Sequence, residues 1–471
     1  MTPKQILARH DGALARRRPH EAGWADAYSH VLPSPGEAAS LFDATAADAA
    51  EQLAASLLAE LTPPWSRWFG LAPARAAADA SPEQAAALED VAGILQSHLD
   101  RSNFAVEMHQ AFLDLVITGT GVMLVEEAPP GETSALRFSG VPVRTAILEE
   151  GASGRLDTVF REMRLTVAEL LRRFPFAELP REIEREAAQT EGNPPRHRVI
   201  EAVWPDAGGH RYAAVLDLPE PALLAQGRFA DAPFIAFRWL KAPGEIYGRG
   251  PVIKALPDIR TANRVVELVL KNASIAATGI WQAEDDGVLN PATVQLTPGA
   301  IIPKAPGSAG LTPLAAPGSF DVSQLVLNDL RARIRGALLA DRLATPRDAR
   351  MTATEVLERS AETARLLGAT YGRLQSELLT PLVSRCLGIL ARRGEIPPVL
   401  LDHGAVALRY ESPLARVQGR ADAANTLLFL DAVARMGAAA QEVVDVPASA
   451  RWLARTLGAP AEILVPVANP E

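Results

Sequence analysis

Pro243-Gly244-Glu245-Ile246-Tyr247-Gly248-Arg249-Gly250-Pro251 decides how this chain is read. Proline and glycine at both ends interrupt whatever regular structure comes before. Pro251 then suits the opening of a helix, where its missing N–H would have had no intrahelical partner. Behind it, Ile253, Leu256, Ile259, Val266, Val269, Leu270 and Ala273 keep helical spacing to about Ala277, with Pro257 tolerable near the first turn. Arg260, Arg264, Glu267 and Lys271 recur at four, three and four on another face. The pattern predicts one buried and one charged face. None of it resembles an active site.

Downstream, Ile280 to Gly318 lose helical periodicity and fill with Pro, Gly, Thr and Ala. An Asp286-Gly287 turn and strand-like runs at Thr293–Leu296 and Ala300–Ile302 predict a small β-rich insertion. A second helix is expected over Val322–Ala340, bearing Arg331, Arg333 and Arg335. A loop from Asp341 to Met351 then carries Arg342, Arg347 and Arg350. Thr352-Ala353-Thr354-Glu355 has the pattern of a capping box and opens the longest predicted helix. That helix runs about 28 residues, roughly 42 Å, to Thr380. Pro381 is expected to kink it before it resumes to Arg393 and stops at Gly394. The tail after Pro413 reads as helical over Ala421–Met436 and Ala448–Leu457.

Upstream, the first 120 residues are mostly helical by pattern. Thr45–Leu61 forms an Ala/Leu-rich helix stopped by Thr62-Pro63-Pro64. Ser81-Pro82-Glu83 opens another, which breaks near Ser102-Asn103. Trp65, Trp68 and Phe69 between them read as loop packing rather than a base-stacking platform. From Phe112 the texture changes to a helix end, a turn at Gly119-Thr120-Gly121 and a strand to Glu126. Short β-runs follow at Val159–Arg161, Val199–Trp204, Ala213–Leu216 and Phe234–Phe237, with a helix over Thr166–Phe174. The fold class is α+β.

Composition narrows the function. The chain has 471 residues, 48% of them hydrophobic, enough for a sizeable core in several subdomains. A formal charge of −9 argues against tight phosphate neutralisation of a bound nucleic acid, though not against its loose passage. Cys386 is the sole cysteine, which rules out intrachain disulfides and thiolate-rich metal sites. No signal peptide or membrane span is read. His98 and His109 would lie about 16 Å apart along one helix, too far for one metal ion, so no metal or cofactor is expected. Gly119-Thr120-Gly121 precedes its strand and lacks a lysine, the wrong order for a phosphate loop. Glu284-Asp285-Asp286-Gly287 lacks the alternating oxygen ligands of a calcium loop. Arg16-Arg17-Arg18 reads as a solvated helix face. No catalytic set emerges.

The order of these elements resembles the portal, or head-to-tail connector, proteins of short-tailed bacteriophages. The residues that carry the likeness are the Tyr247-Gly248-Arg249-led helix, the Pro/Gly-rich insertion, the returning helix, the arginine loop, and Arg350-Met351-Thr352-Ala353-Thr354-Glu355 opening a helix interrupted at Leu379-Thr380-Pro381. Phe42–Thr45, Leu61–Phe69 and Gly119–Glu126 are also similar to that family. The resemblance implies a portal fold with an α/β wing (1–250), paired stem helices (251–277 and 322–340), a small β-rich clip (278–321), a tunnel loop (341–351), a long Pro-kinked wing helix (352–394) and a helical crown (395–471). It further implies a non-enzymatic ring, twelve copies at one capsid vertex of the virion, assembled in the host bacterial cytoplasm. Double-stranded DNA would pass through it without sequence preference during packaging and ejection. Major capsid protein, large terminase and a tail adaptor would be its partners. Arg342, Arg347 and Arg350 would line the constriction, and Arg260, Arg264, Lys271, Arg331 and Arg335 the stem face. A virion scaffolding or adaptor protein without a channel is the alternative.

Overall fold

The computed structural model describes residues 1–36, 40–73, 82–188, 194–278, 281–283, 305–307, 311–313, 320–340, 368, 370–397, 406–410, 413–436 and 444–457. In chain order they form α1 (Pro3–Val31), α2 (Thr45–Leu61), β1 (Phe69–Pro73), α3 (Pro82–Asp100), α4 (Phe104–Thr118), β2 (Thr120–Glu127), β3 (Leu136–Gly140), β4 (Ala146–Glu150), β5 (Leu156–Leu165), α5 (Val167–Arg173), α6 (Arg181–Ala188), β6 (His197–Asp206), β7 (Gly209–Leu216), β8 (Ala222–Phe229) and β9 (Phe234–Arg238). There follow α7 (Pro251–Thr278), β10 (Trp281–Ala283), β11 (Leu311–Pro313), α8 (Phe320–Ala337), α9 (Thr380–Arg392), β12 (Val406–Tyr410), α10 (Pro413–Arg435) and α11 (Val446–Leu457). The fold is a mixture of helix and strand, as the sequence pattern predicts.

Two sheets organise the first half. β4-β5-β6-β7-β8 is an antiparallel meander, each strand beside its chain neighbour, and β3-β2-β9 is a smaller antiparallel sheet. Helix α1 lays Ile6, His10 and Ala13 on the meander against Ile147, Phe160, Ile200, Ala202, Ala213 and Val215. Helices α5 and α6 cover another part of it through Val167, Leu170 and Ile183. Thr166 caps α5 reciprocally with Glu169, a capping box. The main core lies among α2, α3, α4, α7, α8 and α9, with β2 and β3 on its border.

Several expectations meet the structure closely. α2 has the predicted ends, α3 starts at Pro82, and the break at 101–103 separates it from α4. Gly119 ends α4 in the left-handed region, φ +92°, and β2 follows at once. His98 and His109 do not lie along one helix but on α3 and α4, and His98 is packed: its Nδ1 accepts from the Ala135 N–H at 3.2 Å and its Nε2 faces Glu395 at 2.6 Å.

Others are corrected. Arg17 does not lie on a solvated face; it is buried and donates to the carbonyls of Arg144 (2.7 Å) and Ala146 (3.1 Å), while Arg9 and Arg16 pair with Glu149. Trp68 and Phe69 pack in the core as expected, but Phe69 also starts a strand that pairs antiparallel with β12, Phe69 opposite Tyr410, in a tail that reads as helical. The interruption near Pro381 is a π-turn over Gln375–Leu379. The widened turn accommodates the proline: the Thr380 N–H bonds the Gln375 carbonyl five residues back, so the ring at position 381 follows a loosened turn instead of colliding with a tight one. In the insertion, the strands described are β10 and β11, paired antiparallel. Thr293–Leu296, Ala300–Ile302, Glu284-Asp285-Asp286-Gly287 and the capping box at Thr352 lie outside the described residues.

Candidate functional site

α7 and α8 pack on each other, and Arg333 near the end of α8 pairs with Asp258 near the start of α7 at 2.8 Å, so the two helices run antiparallel as a hairpin. Only the first part of α7 is anchored. Val252, Ala255, Leu256, Ile259 and Ala262 are buried, whereas none of Asn263 to Ser274 is. On α8, Leu327, Leu330 and Ile334 face the core. The predicted buried face therefore holds at the base, and Leu268, Leu270, Leu325 and Val326 stand exposed farther along.

Four of the five sequence-predicted cations of this hairpin are paired within the chain. Arg260 pairs with Asp26 of α1. Arg264 (2.6 Å) and Lys271 (2.7 Å) both reach Glu267, and these contacts hold its carboxyl below the usual range. Arg331 pairs at 2.8 Å with Asp43, which is buried at the entry to α2. Arg335 is exposed, and no carboxylate among the described residues pairs with it. Arg342, Arg347 and Arg350 lie outside the described residues. The five described residues are thus spread along two helices, and four of them face three carboxylates, Arg264 and Lys271 sharing Glu267. A face of that kind offers a passing polyanion weak, screened contacts instead of a continuous positive stripe.

Asp43 makes a pH test possible. Burial opposes its charge, but the hydroxyl and amide of Thr45 and the Arg331 guanidinium outweigh that and hold it below its ordinary value of 3.8. A depressed carboxyl contributes stability that is present above the unfolded value and lost as pH falls through the folded one. The stability gap between wild type and Asp43→Asn is expected to be constant near neutrality and to close below pH 3.8, read from urea midpoints across pH.

The joint that launches α7 is built from bare backbone. Tyr247 is fully buried, its ring tilted against His20 and edge-on to Trp24 of α1, and its hydroxyl accepts from the Leu148 N–H at 3.0 Å. The next residues press on the turn after α4. The Gly248 N–H donates to Thr120 Oγ1 at 2.9 Å, and the Trp239 N–H to the Gly119 carbonyl at 2.9 Å. A Cβ on Gly250 would lie 2.5 Å from the Val116 carbonyl oxygen and 2.7 Å from the Gly119 nitrogen, and one on Gly119 would overlap the backbone of Arg249 and Gly250. Three glycines are needed because two chain segments touch without side chains between them. The quoted stretch is a clamp.

Beside it sits a buried charge network absent from the sequence reading. Arg238, 0% exposed at the end of β9, donates to both carboxylate oxygens of Glu377 in the π-turn (2.7 and 3.2 Å) and to the carbonyls of Gly154 (2.9 Å) and Ile246 (3.1 Å). The signal available was an arginine closing the apolar run Phe234–Phe237. Chemistry is otherwise sparse. Among the described residues no three His, Cys, Asp or Glu side chains are grouped to hold a metal, and no helix is long and apolar enough to cross a membrane. Cys386 is buried, which pushes its thiol up to about 12 and leaves it unreactive at neutral pH.

The chain is similar to known proteins over nearly its whole length. The family model described as bacteriophage head to tail connecting protein matches residues 3–464. The probable portal protein of Bordetella phage BPP-1 is 26% identical over 514 residues, covering 98% of this chain and 89% of its own. The portal protein of Salmonella phage epsilon15 is 22% identical over 467 residues, covering 90% and 80%. A solved chain from the virion of a native gene transfer agent particle aligns with a TM-score of 0.39 at 14% identity, covering 93% of both chains. With nearly its whole length matched, the chain belongs to the bacteriophage head to tail connecting proteins.

Proposed function

We propose that this connector works as a closed ring of twelve copies at one vertex of a phage capsid, with double-stranded DNA passing through its centre. Residues 1–250 are the wing, with 352–394 as its long helix; 251–277 and 322–340 are the stem; 278–321 are the clip; 341–351 are the tunnel loop. The crown takes residues 395–471, although β12 within that span returns to pair with β1. The terminase motor docks first and a tail adaptor afterwards, with the major capsid protein surrounding the ring. Assembly takes place in the host cytoplasm.

The observation that carries this reading, beyond the family itself, is the α7–α8 hairpin whose cations are matched internally. A duplex that must slide cannot be held by many phosphate contacts, since each adds about 0.9 to the salt slope and a dozen-fold repeat would multiply them. An acidic chain with self-neutralised helices avoids that brake. The few arginines left for contact are Arg335 and, in the loop, Arg342, Arg347 and Arg350. They act as a valve on packaged DNA.

Electron microscopy of the purified protein is expected to show annular particles with a central hole. Filaments or monomers would favour an adaptor without a channel. Alanine at Arg342, Arg347 and Arg350 together is expected to leave rings intact while packaged DNA leaks from filled heads, measured as genome retained per particle. Unchanged retention would make the loop a plain connector.

A further inference from the structure

Asn263 stands where α7 leaves the body of the protein. Ala262 is the last buried residue before it, and from Asn263 to Ser274 none is buried. The Asn263 side chain carries three hydrogen bonds to the backbone of one distant segment. Its Oδ1 accepts from the N–H groups of Phe42 (2.7 Å) and Asp43 (3.1 Å), and its Nδ2 donates to the Ser40 carbonyl at 3.1 Å. Turned over, the amide would aim its own hydrogens at two N–H donors, so its orientation is fixed by chemistry. Aspartate lacks the donor and leucine lacks both functions.

The same segment grips the second helix. Asp43 Oδ2 accepts from the Arg331 guanidinium of α8 at 2.8 Å, while its Oδ1 accepts from the Thr45 N–H and roots the segment in the start of α2. The Asp258–Arg333 pair sets the antiparallel level of the hairpin, which puts Arg331 within about one turn of Asn263 along it. Ser40–Asp43 therefore bridges both helices as a strap at their point of exit.

Below the strap the hairpin is held by apolar contact, through Val252, Ala255, Leu256, Ile259 and Ala262 on α7 and Leu327, Leu330 and Ile334 on α8. Burial of that kind is non-directional, whereas hydrogen bonds fix an angle. The nearby Arg260–Asp26 pair involves an exposed arginine and is a weak tether. Leverage makes the angle matter. Thr278, at the end of α7, lies roughly 22 Å beyond Asn263, so about 10° of play there moves the end by about 4 Å.

We propose that Asn263 is the positioning residue of the α7–α8 hairpin: through the Ser40–Asp43 strap it fixes the tilt at which both helices leave the core. The consequence for function rests on the ring reading, in which the hairpins of all copies border the channel and the strap sets its width.

The test reads tilt and stability separately. Val106→Cys on α4 and Leu270→Cys beyond the strap, both at exposed positions, receive nitroxide labels in the full chain, whose native Cys386 is buried. The labelled chain is diluted into excess unlabelled protein so that single copies report, and double electron–electron resonance gives the distribution of distances between the labels. Asn263→Ala is expected to widen that distribution about twofold or more. Its thermal midpoint is expected to stay near that of wild type, since Ser40 and Phe42 are exposed and water takes over the lost bonds. Thr261→Ala removes a hydroxyl that bonds the Pro257 carbonyl of its own helix, and is expected to leave the distances alone. An unchanged distribution in Asn263→Ala, or a lowered midpoint without widening, overturns the proposal. Equal widening in Thr261→Ala overturns it as well. If Asn263→Ala does not fold, the same reading is taken from Arg331→Gln, which releases the strap from α8. Electron microscopy of the same proteins tests the consequence: a central hole uniform in wild-type rings and variable in Asn263→Ala supports it, and an unchanged hole beside widened distances overturns it. Wild-type protein that forms no ring overturns the ring reading and leaves the strap to stand on the distances.

Discussion

Gly119→Ala is expected to lower the unfolding free energy by about 2–5 kcal/mol. Two independent costs add there. An L-residue held in the left-handed region at φ +92° loses about 1–2 kcal/mol. The new methyl group also meets the backbone of Arg249 and Gly250, where no side-chain rotation can relieve it, and overpacking of that kind costs about 1–3 kcal/mol. Gly131 separates the two terms. It has φ +98° and nothing within 4 Å of its Cβ position, so Gly131→Ala should show the backbone penalty alone. Urea midpoints of the two variants, at constant slope, measure the difference. Equal losses at the two glycines would mean that the clamp between Gly119 and Gly250 has room to relax.

Arg238→Met is expected to cost about 3–5 kcal/mol, because it leaves the buried Glu377 carboxylate with only the partly exposed Arg373 (3.2 Å) as a charged partner and removes donors from the Gly154 and Ile246 carbonyls. Its expected signature is recovery. Arg238→Met combined with Glu377→Leu removes both charges, and replacing a whole buried pair with apolar groups is far less costly than breaking it. The double variant should therefore be more stable than Arg238→Met alone, with a coupling of about 0.5–3 kcal/mol in the mutant cycle. Additive losses would show that Arg238 acts through its carbonyl contacts and not through Glu377. Hydrogen exchange at Thr380 adds a local readout, since its N–H closes the π-turn that carries Glu377.

What could be read beforehand divides along physical lines. Local signals were legible: the Thr62-Pro63-Pro64 stop of α2, Pro82 at the start of α3, the glycine that ends α4, and the short helix after Thr166 all act within a few residues, and the structure repeats them. Periodicity located α7 and α8 but not which half of α7 is buried, because that depends on where α1, α2 and α8 lie. The β1–β12 pair was missed because neither five-residue strand has a partner nearby in sequence, and pairing across most of the chain leaves no local trace. At the candidate site, the spacing of Arg260, Arg264, Glu267 and Lys271 announced the Glu267 triad. The distant partners of Arg260 and Arg331, Asp26 and Asp43, carried no comparable signal, so a face read as free charge is largely neutralised.

The pairing of Phe69–Pro73 with Val406–Tyr410 sets an order of events during synthesis. The early strand waits until residues 406–410 have been made before it gains its neighbour, and non-local closure of this kind slows folding. At about 5–20 residues added per second, the ribosome leaves the N-terminal strand unpaired for tens of seconds. The helix that begins at Pro413 follows the late strand directly, so the exposed Leu427, Leu428 and Phe429 emerge only after both strands of the pair. A nascent chain therefore exposes these apolar side chains only after both strands of the β1–β12 pair have been made, which keeps that surface behind the closure of the fold around it.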